Sequence, residues 1–202
     1  MLKQGQTVLD FSRWQDKVNW QELATDNISG VIIKASQGVN GTDKKTRSHA
    51  EGAYSVGIPV GYYHFASLND KDEVGDATKE ANFFASIVKS MPSPQLGVWL
   101  DLEDNTAKLT PDEMLTWIKT FFAEMNKLGF AEVGLYSGKY FLDPQLPKNH
   151  GLGHVKLWLA QYVAKMKLPN GWTEAYLWQK TDKFKVKGIS SGVDMSVVLK
   201  EF

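Results

Sequence analysis

Apolar residues along the chain fall into short continuous or alternating runs separated by stretches in which they recur every three or four positions, the signatures of strands and of helices. Strand candidates occupy 7–10, 30–36, 59–66, 97–103, 132–137, 156–162, 175–181 and 192–195, each bounded by Gly, Pro, Asn, Asp or other polar residues. Helical patterns fill 20–25, 46–56, 72–91 and 111–128. The last of these opens at Thr110-Pro111-Asp112-Glu113, where Thr caps, Pro takes the first helical position and Glu follows three residues after the cap. Its apolar positions Leu115, Ile118, Phe121, Phe122, Met125 and Leu128 keep helical spacing, and Gly129 supplies the stop. Beyond Ser137 the connections turn short or irregular. Strands that alternate with helices imply a parallel sheet, and eight of them imply closure. The expected fold is α/β, a shortened and irregular TIM-like (β/α) barrel of about eight strands with few helices in its second half. No Pro-, Ser- or Gly-rich linker interrupts the pattern, so one domain over 1–202 is expected.

In such a barrel the active site gathers at the C-terminal ends of the strands. The residues there are polar: Asp10, then Lys34-Ala35-Ser36-Gln37, His64, Asp101-Leu102-Glu103-Asp104, Gln161-Tyr162, Gln179 and Asp194. Along the fourth candidate strand Val98, Leu100 and Leu102 share one face and Trp99, Asp101 and Glu103 the other. The apolar face should meet the helices, leaving Trp99, Asp101 and Glu103 to point into the barrel mouth. Two neighbouring carboxylates taken out of water ionise at separated pH values, which yields one protonated acid beside one charged partner. Glycosidic bond cleavage needs that division of labour. An acidic pair of this kind also serves to cap a helix or bind a cation, and the four carboxylates Asp10, Asp101, Glu103 and Asp194 favour chemistry over those uses.

Composition narrows the field. Lys and Arg number 23 and Asp and Glu 23, so the net charge is +0, which argues against a nucleic-acid partner. Cys is 0, which excludes disulfides, thiolate metal sites and cysteine nucleophiles. No His-rich ligand set or EF-hand loop occurs, so neither a metal nor another cofactor is expected. Gly134-Leu135-Tyr136-Ser137-Gly138-Lys139 is one residue short of a phosphate-binding loop and is followed by Tyr140, and no Gly-x-Ser-x-Gly elbow is present. No apolar run approaches the roughly 18 residues of a membrane span. Aromatics are plentiful, with 7 Trp, 7 Tyr and 10 Phe. Packing explains part of that number and a groove for sugar rings the rest.

The segments Asp10-Phe11-Ser12-Arg13-Trp14-Gln15, Lys34-Ala35-Ser36-Gln37-Gly38, Gly61-Tyr62-Tyr63-His64-Phe65, Leu100-Asp101-Leu102-Glu103, Leu135-Tyr136-Ser137, Trp158-Leu159-Ala160-Gln161-Tyr162, Trp178-Gln179 and Val193-Asp194-Met195 resemble, in order, the motif set of glycoside hydrolase family 25, the Chalaropsis-type lysozymes. The resemblance covers essentially the whole chain. It implies an N-acetylmuramidase that cuts the β-1,4 bond between N-acetylmuramic acid and N-acetylglucosamine in peptidoglycan. By motif position Glu103 matches the general acid, Asp101 its partner, and Asp10 and Asp194 two further carboxylates of the site. Either a carboxylate nucleophile or the substrate's own 2-acetamido group would complete the reaction, and the acetamido scheme is preferred. Gln37 stands where Glu is expected, and Ser196 where many relatives carry Asn.

Tyr62, Tyr136, Trp158, Tyr162, Trp178 and Gln179 lie in or beside these motifs and are candidates to contact sugar. His64 and Lys34 are candidates to support the reacting groups from behind, His64 being otherwise a hydrogen-bonded structural residue. The expected partner is the peptidoglycan glycan strand, met by a monomer with no membrane insertion. The absence of an apolar leader suits a phage or prophage endolysin made in the host cytoplasm and released to the wall, and a mature secreted form would read the same. No separate wall-binding domain is expected in this chain. A non-catalytic glycan-binding module and a glycosidase acting on chitin are the rival readings.

Overall fold

The computed structural model describes residues 2–201. The strands are β1 (Thr7–Phe11), β2 (Gly30–Gln37), β3 (Gly41–Thr42), β4 (Val60–Phe65), β5 (Val98–Asp101), β6 (Val133–Gly138), β7 (Leu157–Ala160), β8 (Leu177–Phe184) and β9 (Val193–Val198). The helices are α1 (Trp20–Leu23), α2 (Thr46–Ser55), α3 (Glu73–Val88), α4 (Pro111–Lys127) and α5 (Lys139–Gln145). The strand order is β1-β9-β8-β7-β6-β5-β4-β2, and β1 also pairs with β2, so eight strands close into a barrel while β3 adds a two-residue edge to β2. All eight expected strands and all four expected helices form, and beyond Ser137 α5 is the one helix among the described residues.

The all-parallel expectation is corrected at one strand. β9 runs antiparallel to both neighbours, β8 and β1. It enters the barrel from the rim where the other strands end, because the chain between β8 and β9 holds no helix to carry it back to the far side. Asp194 therefore reaches that rim by standing near the start of its strand. β5 also stops at Asp101, so Glu103 sits on the loop that follows rather than in the ladder.

Alternation divides the apolar residues into two layers. Val8, Ile32, Trp99, Tyr136, Trp158 and Leu177 fill the barrel lumen. Leu9, Phe11, Ile33, Leu100, Leu135 and Leu159 face outward and pack under helical residues such as Phe84, Trp117 and Phe121. Trp99 and Trp158 meet edge to face at 5.7 Å, and Trp158 and Tyr136 at 4.6 Å. These large rings are a floor for the barrel mouth, each worth about 1.5–3 kcal/mol in burial. α4 carries the expected capping box, with Glu113 N–H donating to Thr110 and Thr110 N–H donating to Glu113. Gly129, at φ 97°, ends that segment in a conformation that favours glycine.

Candidate active site

A cleft of about 310 Å³ opens at the rim above this aromatic floor. Four carboxylates line it: Asp10 from β1, Asp101 from the end of β5, Glu103 just beyond, and Asp194 from β9. Asp10 and Asp194 are direct cross-strand partners although they lie at opposite ends of the sequence. Both are held above the usual carboxylate range. For Asp10 the largest cause is burial, followed by the Asp194 charge, with the hydrogen bond from Gln179 opposing. For Asp194 burial again raises the value, while a hydrogen bond with Asp10 opposes it. Two carboxyl groups so placed ionise as a pair, and burial is the largest cause raising both above the ordinary carboxylate range.

Asp101 is 5% exposed, whereas Glu103 is exposed at the rim. Burial pushes Asp101 well up, the neighbouring Glu103 adds to the effect, and the Lys34 ammonium opposes it. The Oδ1 atom of Asp101 is buried with no hydrogen-bond partner in the chain. A buried carboxyl oxygen without a partner costs free energy unless a ligand supplies one.

A single amide organises the far wall. The Oε1 atom of Gln179 accepts from the hydroxyls of Tyr136 at 3.0 Å and Tyr162 at 2.8 Å, and its Nε2 donates to Asp10 at 3.1 Å. Trp158 donates through Nε1 to the Ser196 hydroxyl at 2.9 Å, so Ser196 serves the floor of the site. Lys34 lines the cleft with its Nζ 4.5 Å from the centre of the Phe65 ring and 2.9 Å from Gln37 Oε1. Burial lowers its pKa, against the pull of Asp101 and Asp43.

Of the residues expected from sequence, the four carboxylates, Lys34, Tyr136, Trp158, Tyr162 and Gln179 come together in the cleft. Three do not. Tyr62 lies on the outward face of β4, fully buried, with its hydroxyl donating to Pro92 O at 2.9 Å. His64 shares that face: its ring contacts Phe84 and Phe121, its Nδ1 pairs with Ser36 and its Nε2 with Glu80, and it does not reach the carboxylates. Trp178 lies opposite Gln179 on β8, donates to Gln161 O and sits under Lys180. In each case strand parity sends the side chain away from the lumen.

The same parity brings in Tyr63 and Phe65, which the motif reading passed over, and the loop after β1 contributes Ser12 and Trp14. Alternation along β4, applied as it was to β5, would have found Tyr63. Trp14 is 74% exposed at the cleft edge, an unusual place for a Trp unless a flat ligand covers it. Among the described residues no three His, Asp or Glu side chains are grouped so as to hold a metal ion, and no helix is long and apolar enough to cross a membrane.

The model of glycosyl hydrolases family 25 matches residues 9–189. Lysozyme M1 of Streptomyces globisporus is 29% identical over 195 residues, which cover 92% of this chain and 65% of that protein, so the chain spans less than two thirds of this relative's length. Among solved structures, the bacterial lysozyme from Streptomyces coelicolor superposes with a TM-score of 0.86 at 26% identity, covering 98% of this chain and 94% of that one. The catalytic domain of endolysin ply40, from bacteriophage P40 of Listeria monocytogenes, gives 0.76 at 30% identity, covering 98% and 95%.

Proposed function

The chain belongs to glycosyl hydrolases family 25, and from that premise we propose that it is a muramidase, cutting the β-1,4 bond between N-acetylmuramic acid and N-acetylglucosamine in bacterial peptidoglycan. The observation that carries the reading is the convergence of Asp10, Asp101, Glu103 and Asp194 in one cleft over an aromatic floor. Glu103, exposed at the rim, protonates the leaving glycosidic oxygen. Asp101, buried beside it with a free Oδ1, accepts the N–H of the substrate's 2-acetamido group and steadies the positive charge that develops as this group closes on the anomeric carbon. Asp10, held by Gln179, and its cross-strand partner Asp194 orient the sugar and the incoming water. Tyr63, Tyr136, Trp158, Tyr162 and Trp14 supply faces and hydroxyls for the sugar rings.

The likeness to the catalytic domain of endolysin ply40 supports reading it as a catalytic unit of endolysin type that acts on the bacterial cell wall. Clearing of purified cell walls, with mass spectrometry of the products, tests the activity. Wild type should lower turbidity and leave muramic acid at the new reducing ends, while Glu103→Gln should lose activity about 10²–10⁴-fold with its fold intact by circular dichroism. Equal clearing by the two proteins, or none by wild type, would leave a glycan-binding module as the better description. Glucosamine at the new ends would instead indicate a different glycosidase.

A further inference from the structure

Beside the carboxylate cleft lies a second pocket, of about 410 Å³, that shares Lys34 with it. The loop of residues 38–40 between β2 and β3 and the residues that follow β4 form its walls, with Arg13 at the edge nearest the cleft. Its charged groups fall into two kinds. Asp43 and Glu80 are occupied internally: Asp43 accepts the backbone N–H groups of Arg13 and Lys45, and Glu80 accepts from Ser67 N–H and contacts His64. Among the described residues Arg13 and Lys34 make no ion pair with a carboxylate, and they lie over aromatic rings, Arg13 at 5.1 Å from Trp14 and Lys34 at 4.5 Å from Phe65. Lys34 feels the charges of Asp101 and Asp43 without touching either and spends one N–H on Gln37, so it and the Arg13 guanidinium keep donors to offer to an anion. Gln37, Asn40 and Asn69 line the same space and add amide donors suited to a peptide backbone.

The charge pattern therefore differs between the two spaces: four carboxylates against Lys34 in the cleft, and Arg13 and Lys34 against the internally bonded Asp43 and Glu80, with three amides, in the pocket beside it. Peptidoglycan has the matching pattern, a neutral glycan whose muramic acid carries, through its lactyl group, a short peptide with free carboxylates. Resting on the muramidase reading, we propose that the second pocket binds the carboxylate-bearing peptide stem while the glycan occupies the cleft, so that the enzyme selects stem-bearing muramic acid.

Steady-state kinetics on two soluble substrates test this: glycan chains with stems, and the same chains after an amidase has removed the stems and left the lactyl carboxylates. Wild type should prefer stem-bearing chains in kcat/KM by about tenfold, mainly through KM, as expected for one or two charge-assisted contacts. Added salt should erode the preference, because Arg13 is exposed. Arg13→Gln should reduce it, and so should Asn40→Asp, which adds a repelling charge on an exposed loop. Equal kcat/KM on both chains for wild type would overturn the inference while leaving the muramidase reading intact. So would Arg13→Gln lowering both substrates alike, which would mean that the pocket takes sugar. Cleavage of neither chain would remove the muramidase reading and this inference together.

Discussion

Gln179 concentrates the logic of the site in one side chain, since its amide joins two tyrosine hydroxyls to Asp10. Replacing it with Ala strips partners from three groups at once, at about 1–3 kcal/mol for each one left buried and unsatisfied. Gln179→Ala should lower kcat about 10–100-fold and move the Asp10 ionisation further up, because the bond that opposes burial is lost. A pH–rate profile of the variant checks both, and a profile identical to wild type would deny Gln179 this role. The residue type and its place at a strand end were visible in the sequence. The partners were not, because Tyr136 and Asp10 are 43 and 169 positions away and meet Gln179 only when the barrel closes.

At the scale of elements, the boundaries follow local chemistry and the faces follow parity. Thr110, Pro111, Glu113 and Gly129 announce α4 at both ends. β4 is less legible: Tyr62, Tyr63, His64 and Phe65 are all polar or aromatic, so composition does not say which pair faces the lumen. The strands around it decide, through the contacts of Tyr62 and His64 with the helical layer. An irregularity in β2 between Lys34 and Ser36 does similar work, keeping Lys34 in the cleft while turning Ser36 outward to His64. Register also fixes the floor. Gly134 on β6 stands opposite Trp99 on β5, and a Cβ there would come within 2.2 Å of the indole. Gly134→Ala should therefore destabilise by about 1–3 kcal/mol, lower Tm by several degrees, and reduce activity by tilting the ring beneath Asp101. A thermal melt and a clearing assay on the same preparation measure the two effects, and an unchanged melt would show that Trp99 moves at no cost.

For the whole molecule, the net charge of +0 conceals a costly concentration of carboxylates. Asp10, Asp101 and Asp194 hold their protons more tightly when folded than at the ordinary value of 3.8. Their contribution to stability is thus complete below about pH 3.8 and is lost as pH rises through the folded values. At neutral pH the fold carries their ionisation as a penalty. His49 and His64 act in the opposite sense: burial lowers both from 6.5, so the stability they allow is present above that pH and declines as pH falls through it. Asp101→Asn should raise Tm at pH 7, by about 2–4 °C for each kcal/mol relieved, while activity is lost. The gain should shrink as pH is lowered towards 4. Melts across that range decide the matter, and a constant gain would point to packing rather than ionisation.

Closure by β9 has a consequence for the timing of activity. The pairing of Asp10 with Asp194 joins the first strand made to the last, so a chain that has not yet completed β9 holds three of its four cleft carboxylates, lacks Asp194, and has a seam open between β1 and β8. Such a seam is slow to close, because nearly the entire chain is the loop that must be ordered first. The last strand thus completes the cleft, and on the proposed function the chain gains its full site only when β9 has closed the barrel.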